Sequence, residues 1–225
     1  RARRNFVMLV KERMSHPVLT ITPDVPVQEA LARMRKDKVR RYPVVDKKGK
    51  LIGIVTDSDL MNASPSEATT LSVWEINYLL SRITVERVMT RDPITVTEDT
   101  TVEEAARIMA DNKIGGLPVL RDNRLVGIIT ETDLFKIFLE MLGSRTAGVR
   151  VTVEVPDTPG KLHEITGAIY QLGGNISGMG AVLGETSETR TLTLKVTGVS
   201  LEALKAALQP LVEKIHDIRE EKAAA

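Results

Sequence analysis

One block of this chain occurs twice, and the register between the copies leaves few folds open. Met14-Ser15 corresponds to Met89-Thr90, a shift of 75 positions (89 − 14). The same shift takes Thr20-Ile21-Thr22 onto Thr95-Val96-Thr97, Val27 onto Val102, and Glu29-Ala30 onto Glu104-Ala105. It also takes Met34 onto Met109, Lys38 onto Lys113, and Pro43-Val44 onto Pro118-Val119. Asp46-Lys47-Lys48-Gly49 is one residue longer than Arg121-Asp122-Asn123, and beyond it Gly53 matches Gly127 at a shift of 74. Two copies are far fewer than a solenoid needs, so they predict a paired domain.

Each copy reads alike. An extended segment (18–22; 93–97) precedes an amphipathic helix. Val27, Ala30, Leu31 and Met34 keep helical spacing in the first copy, and Val102, Ala105, Ala106 and Met109 keep it in the second. Thr100 followed by Glu103 has the spacing of a capping box at the second helix start. Two strands joined by a polar turn come next, 42–45 with 51–55 and 117–120 with 125–129. A short helix from Ser58 or Thr132 closes each copy. The order is β-α-β-β-α.

The end of each copy carries the chemistry. Gly53-Ile54-Val55-Thr56-Asp57-Ser58-Asp59-Leu60 reappears as Gly127-Ile128-Ile129-Thr130-Glu131-Thr132-Asp133-Leu134. An apolar β-branched run stops at Thr, with Asp three residues later inside the first turn of a helix. A hydroxyl and a carboxylate beside exposed helix N–H groups suit a ribose diol and a phosphate. The plainer reading makes Thr an N-cap and Asp a partner for the helix dipole. The repetition favours the first.

This order, with its twin Gly-x-x-Thr-x-x-Asp-Leu ends, resembles a tandem pair of CBS domains, the Bateman module, over about residues 8–140. The resemblance implies sheets packed together around two related clefts that hold adenosine-containing ligands: AMP, ADP, ATP or another such molecule, with no cofactor required. It places Thr56 with Asp59, and Thr130 with Asp133, at the ribose. Residues 18–20 with 42–44, including Thr20 and Pro43, would wall one base. Residues 94–96 with 117–119, including Thr95 and Pro118, would wall the other. The copies differ where phosphate would lie. Arg40 and Arg41 could make bidentate contacts, whereas Gly115 and Gly116 offer only backbone approach. Two adjacent arginines also suit a plain solvated surface. Unequal affinities are therefore expected if both clefts bind.

Residues 62–68 read as a linker by composition. Leu71, Trp74, Tyr78, Leu79 and Ile83 then form an amphipathic stripe, read as core before partner site. Ala63-Ser64-Pro65-Ser66 after the first motif is similar to bacterial AcuB-like proteins of acetoin utilisation.

Gly143-Ser144-Arg145-Thr146-Ala147-Gly148 marks a boundary. Val149, Val151, Val153 and Val155 alternate with Arg150, Thr152 and Glu154, a half-buried strand. A helix with Leu162, Ile165, Ile169 and Leu172 on one face follows, stopped by Gly173-Gly174. Strands over 175–183 and 191–196, a helix from Leu201 and a possible last strand over 215–218 complete a ferredoxin-like pattern. Asp157-Thr158-Pro159-Gly160-Lys161-Leu162 and Gly173-Gly174-Asn175-Ile176 resemble an ACT domain, which implies amino-acid sensing and a sheet-paired dimer. Backbone N–H groups of the loop running from Asp157 through Gly160 to Leu162 would hold a carboxylate at a helix start, with Asn175 and Ile176 across the cleft. Gly160 and Asn175 would also suit turn geometry alone.

The fold class is thus α+β: two β-α-β-β-α units and a ferredoxin-like C-terminal domain. The expected divisions are 1–7 as an extension, 8–64 as the first CBS domain, 65–84 as a linker helix, 85–142 as the second, and 148–221 as the ACT domain. Met8 is a plausible natural start, with Arg1-Ala2-Arg3-Arg4 as upstream or added sequence.

The absence of cysteine removes disulfides and thiolate chemistry, and the net charge of +1 gives no nucleic-acid or membrane signature. No apolar run reaches the ~18 residues of a membrane span, and no leader peptide is visible, so a cytoplasmic location is expected. His16, His163 and His216 lack ligand spacing, so no metal is expected. Neither a nucleophile elbow nor a Walker loop is present, and Asp57 with Asp59 face different ways. The expectation is a non-enzymatic, homodimeric regulator of an unknown partner enzyme, binding an adenine nucleotide, with the ACT-like domain sensing an amino acid or serving dimerisation. Its rivals are a ligand-free scaffold and, on Arg1–Arg4 and Arg40-Arg41, a nucleic-acid-binding regulator.

Overall fold

The structure, a computed structural model, describes residues 8–63 and 83–223. Leu71, Trp74, Tyr78 and Leu79 of the expected stripe lie outside the described residues. The chain divides into two compact units between Leu134 and Phe135.

The first unit holds both copies. In chain order its elements are α1 (Val10–Arg13), α2 (Val27–Asp37), β1 (Arg41–Val45), β2 (Leu51–Thr56) and α3 (Asp57–Asn62). Then follow α4 (Val85–Val88), β3 (Thr90–Arg91), β4 (Val96–Thr97), α5 (Val102–Asn112), β5 (Gly116–Arg121), β6 (Arg124–Thr130) and α6 (Glu131–Met141), whose end passes into the second unit. The repeated lysines, Lys38 and Lys113, end α2 and α5 in the left-handed conformation, at φ 55° and 54°. The capping contact at α5 is displaced by one residue from the expected pair. Thr101 Oγ1 accepts from Glu104 N at 3.2 Å, because Thr100 Oγ1 is engaged by Thr97 N at 3.1 Å.

The lead segments of the copies are exchanged. Val10 N donates to Thr100 O and Ser15 N to Ile128 O, both at 2.9 Å, so residues 9–15 join the second copy. Val10 is fully buried in that copy's core with Leu117, Val119 and Ile129. Val85 N donates to Val25 O at 2.9 Å, β3 pairs with β2, and Val85 and Met89 lie in the first copy's core. This exchange explains the repeated Gly and Met together. A Cβ at Gly53 would stand 2.7 Å from Met89 Sδ, and one at Gly127 would collide with Met14 Sδ. Each motif opens on glycine so that a methionine leading into the other repeat can lie over the strand.

The second unit comprises β7 (Gly148–Pro156), α7 (Lys161–Gln171), β8 (Asn175–Leu183), β9 (Thr189–Thr197), α8 (Leu201–Leu208) and β10 (Lys214–Glu221). The sheet order is β10-β7-β9-β8 with antiparallel neighbours. Val149, Val151, Val153 and Val155 meet Ile165, Ile169, Leu204 and Leu208 in one core, as period-two alternation requires. Leu162 and Leu172, expected on that face, are instead exposed, since they stand on the terminal turns while burial is confined to the middle of α7.

The opposite sheet face is polar. Thr152 and Thr193 hydroxyls meet at 3.1 Å, Arg150 donates to Asp217 at 3.0 Å, and Lys195 pairs with Glu221 at 2.6 Å. Residues 142–143 cross this face. A Cβ at Gly143 would be 3.2 Å from Lys195 Cβ, and one at Gly178 would overlap the backbone of Leu142 and Gly143. Gly178→Ala is therefore expected to destabilise by about 1–3 kcal/mol, since backbone must move to admit the methyl. Chemical denaturation checks this; an unchanged midpoint would place the segment elsewhere.

Candidate functional site

Each motif folds into the same small constellation. Thr56 ends β2 in extended backbone and its hydroxyl donates to Asp59 Oδ2 at 2.7 Å. The same oxygen accepts from Thr56 N at 2.9 Å, while Asp59 N donates to Thr56 Oγ1 at 3.2 Å, a reciprocal capping box. In the second copy Thr130 Oγ1 donates to Asp133 Oδ2 at 2.8 Å and Thr130 N does so at 3.0 Å. The two carboxylates are thus fixed at the first turns of α3 and α6. Both expected pairs are brought together, and the first also closes a capping box.

The walls need one correction. Successive strand residues face opposite ways. Tyr42 and Val44 enter the first core and Leu117 and Val119 the second, so of those wall residues only Pro43 and Pro118 face away from the cores. Tyr42 is committed further, since its hydroxyl donates to Asp37 Oδ2 at 2.6 Å. Burial, then that bond, push its pKa well above the ordinary tyrosine range. Ile21 runs parallel beside Val44, leaving neighbouring Thr20 exposed. Thr95 precedes β4 and lines an open pocket of ≈ 520 Å³ with Thr97, Thr100, Glu104, Asp122 and Asn123. Neither Thr130 nor Asp133 lines that pocket.

Arg40 is exposed, whereas Arg41 is half-buried and lies against Gly115 and Gly116 of the other copy. The two sequence features expected to distinguish the clefts therefore meet. A single-copy reading had no signal for this, because the contact crosses between repeats.

A family model for the CBS domain matches residues 10–66 and 85–140. The chain belongs to the CBS-domain family. A second model, the TTHA0829-like ACT domain, matches residues 147–219, so the CBS pair is followed by an ACT domain. A CBS domain-containing protein of Dictyostelium discoideum is 35% identical over 136 residues, 60% of this chain and 94% of that protein. A Vibrio cholerae crystal structure described as an acetoin utilization protein, AcuB, is 30% identical, covers 60% of this chain and 93% of that one, and superposes with a TM-score of 0.50. The CBS pair of protein MJ0100, solved with 5′-methylthioadenosine and S-adenosyl-L-methionine, is 34% identical over 58% of this chain and 94% of its own, with a TM-score of 0.49. Among the described residues no helix is long and apolar enough to cross a membrane.

In the ACT domain the expected pair is separated. Asp157 follows β7 and Asn175 opens β8, with the whole of α7 between them. Pro156, just before Asp157, is level with Thr189 and Asn175 with Thr197, at opposite ends of β9. Within one chain they do not share a cleft. Asp157 accepts from Arg190 at 2.8 Å, Gly160 caps α7 at φ 89°, Leu162 is exposed, and Ile176 packs against the core.

Sequence reading missed the nearby Glu154, which is buried on the polar face at 4% exposure. Hydrogen bonds from Thr189 and Thr191, the Glu185 N–H and His216 hold its pKa at about 2. The folded value lies below the ordinary 4.5, so its stabilisation is present above that pH and is lost as pH falls towards 2. Urea midpoints taken from about pH 6 to about pH 3 should fall more steeply for the wild type than for Glu154→Gln. Parallel curves would contradict the assignment.

Proposed function

We propose that the chain is a non-catalytic regulator binding an adenine nucleotide, AMP, ADP or ATP, in two CBS clefts built on Thr56–Asp59 and Thr130–Asp133. One observation carries the reading: the same hydroxyl–carboxylate pair, fixed in the same geometry at two helix starts related by the internal repeat. A carboxylate suits two vicinal ribose hydroxyls as acceptor, and the helix start beside it favours phosphate. Pro43 and Pro118, buried on the strand faces away from the cores, supply apolar walls for a base.

The ACT domain senses an amino acid or serves dimerisation. Two apolar surfaces support a homodimer. β8 is an edge strand with Val182 and Leu183 exposed, and α6 exposes Phe135 and Phe138. Nucleotide occupancy shifts the balance between dimer arrangements that bind it unequally, and a cytoplasmic partner enzyme reads that shift. The AcuB likeness favours acetoin or carbon-storage metabolism as the setting.

AMP, ADP or ATP at about 100-fold above Kd should stabilise the folded protein by about 2.7 kcal/mol for each cleft so occupied, seen as a raised melting temperature. The alternative is a ligand-free scaffold, favoured because hydroxyl and carboxylate already satisfy each other. It predicts no nucleotide shift at any concentration.

A further inference from the structure

Arg41 opens β1 in the first copy, yet its guanidinium lies over the second. A Cβ at Gly115 would stand 2.5 Å from Nη2 and 3.2 Å from Cζ, and one at Gly116 would collide with Nη1 and stand 3.1 Å from Cδ. The repeat makes Gly116 the counterpart of Arg41 (116 − 41 = 75). One position is thus a guanidinium in one copy and bare backbone in the other. The bare backbone is what admits the guanidinium.

The place it reaches belongs to the second motif. Glu131 Oε2 approaches the same point over Gly115, at 2.8 Å from the Cβ position. Glu131 opens α6, whose first turn carries Asp133. Burial pulls the Arg41 guanidinium below the usual arginine range, while Glu131, Asp57 and Asp133 draw it back up. Among the described residues its N–H groups make no hydrogen bond. A half-buried cation that faces carboxylates, but whose N–H groups bond none of the described residues, is suited to exchanging them for an arriving anion.

We infer that Arg41 is the phosphate-recognising residue of the second cleft, supplied across the repeat by the first copy, and that this cleft selects phosphorylated adenosine over adenosine. The first cleft has Gly116 at the matching position and gains no such side chain from the second copy. Arg40 is the residue left exposed on the first copy's own surface. The inference rests on the nucleotide reading of Thr130 and Asp133. A phosphate entering beside α6 would draw the guanidinium from Glu131, adding a charge-assisted fork to the ribose contacts.

Calorimetric titration of AMP and adenosine tests this in Asp59→Ala, which leaves the second cleft, and in Asp133→Ala, which leaves the first. In the Asp59→Ala background Arg41→Gln should weaken AMP about ten- to a hundred-fold with adenosine unchanged. Gly116→Ala, which displaces Arg41 without altering its charge, should weaken AMP in the same direction. In the Asp133→Ala background neither change should matter. An intact AMP preference in both variants, or a loss confined to the first cleft, would overturn the assignment while leaving nucleotide binding in place. No binding of either ligand to the wild type would overturn both.

Discussion

Glu221→Ala is expected to cost about 3–5 kcal/mol, the largest single effect foreseen for the ACT domain. The reason lies in its partner. Lys195 Nζ is 2.6 Å from Glu221 Oε2, and the lysine side chain is only 1% exposed. Removing the carboxylate takes the partner from a lysine whose stem is buried beneath Gly143. Lys195→Met removes the charge and keeps much of the volume, so it should be near neutral or stabilising. Denaturant unfolding of both variants decides the matter. Equal losses would mean that shape at this position, and not the unpaired charge, sets the penalty.

The second large effect concerns ligand binding. Asp59→Ala with Asp133→Ala should abolish the nucleotide-induced stabilisation, about 2.7 kcal/mol per cleft at 100-fold excess over its Kd. Loss of the two carboxylates at the helix starts should lower the stability of the free protein by only about 1 kcal/mol each. The contrast separates function from capping. If the double variant is destabilised by that amount yet responds to nucleotide like the wild type, these residues are caps and the ligand lies elsewhere. Single variants should each remove one class of site, because each carboxylate is held by its own threonine.

Much of this was legible in the linear chain because a repeat is read twice. The motif pairs, the helices from Val27 and Val102, and the αβ order of the C-terminal domain all follow from local periodicity, which depends on neighbours a few residues apart. What escaped depends on distant neighbours. No local pattern distinguishes a lead segment that packs on its own repeat from one that packs on the other, so the exchange of Val10 and Val85 was invisible. The Met–Gly correspondences were visible as repetition but not as contacts. Arg41 read as part of the first cleft because its sequence neighbours are there, whereas its side chain reaches Gly115 and Gly116. Asp157 and Asn175 were joined by analogy, and the length of α7 separates them. Thr100 matched the capping pattern as well as Thr101 does, and only the competing bond to Thr97 decides between them. Lys195 and Glu154 alternate correctly as outward residues, and nothing local marks that face as covered.

The central claim is nucleotide binding at the twin clefts, and calorimetric titration of AMP into the purified chain tests it most directly. Saturable heat is expected, with two unequal affinities, one lost in Asp59→Ala and the other in Asp133→Ala. A folded protein that gives no heat and no melting shift with AMP, ADP or ATP would contradict the claim and leave the scaffold in its place.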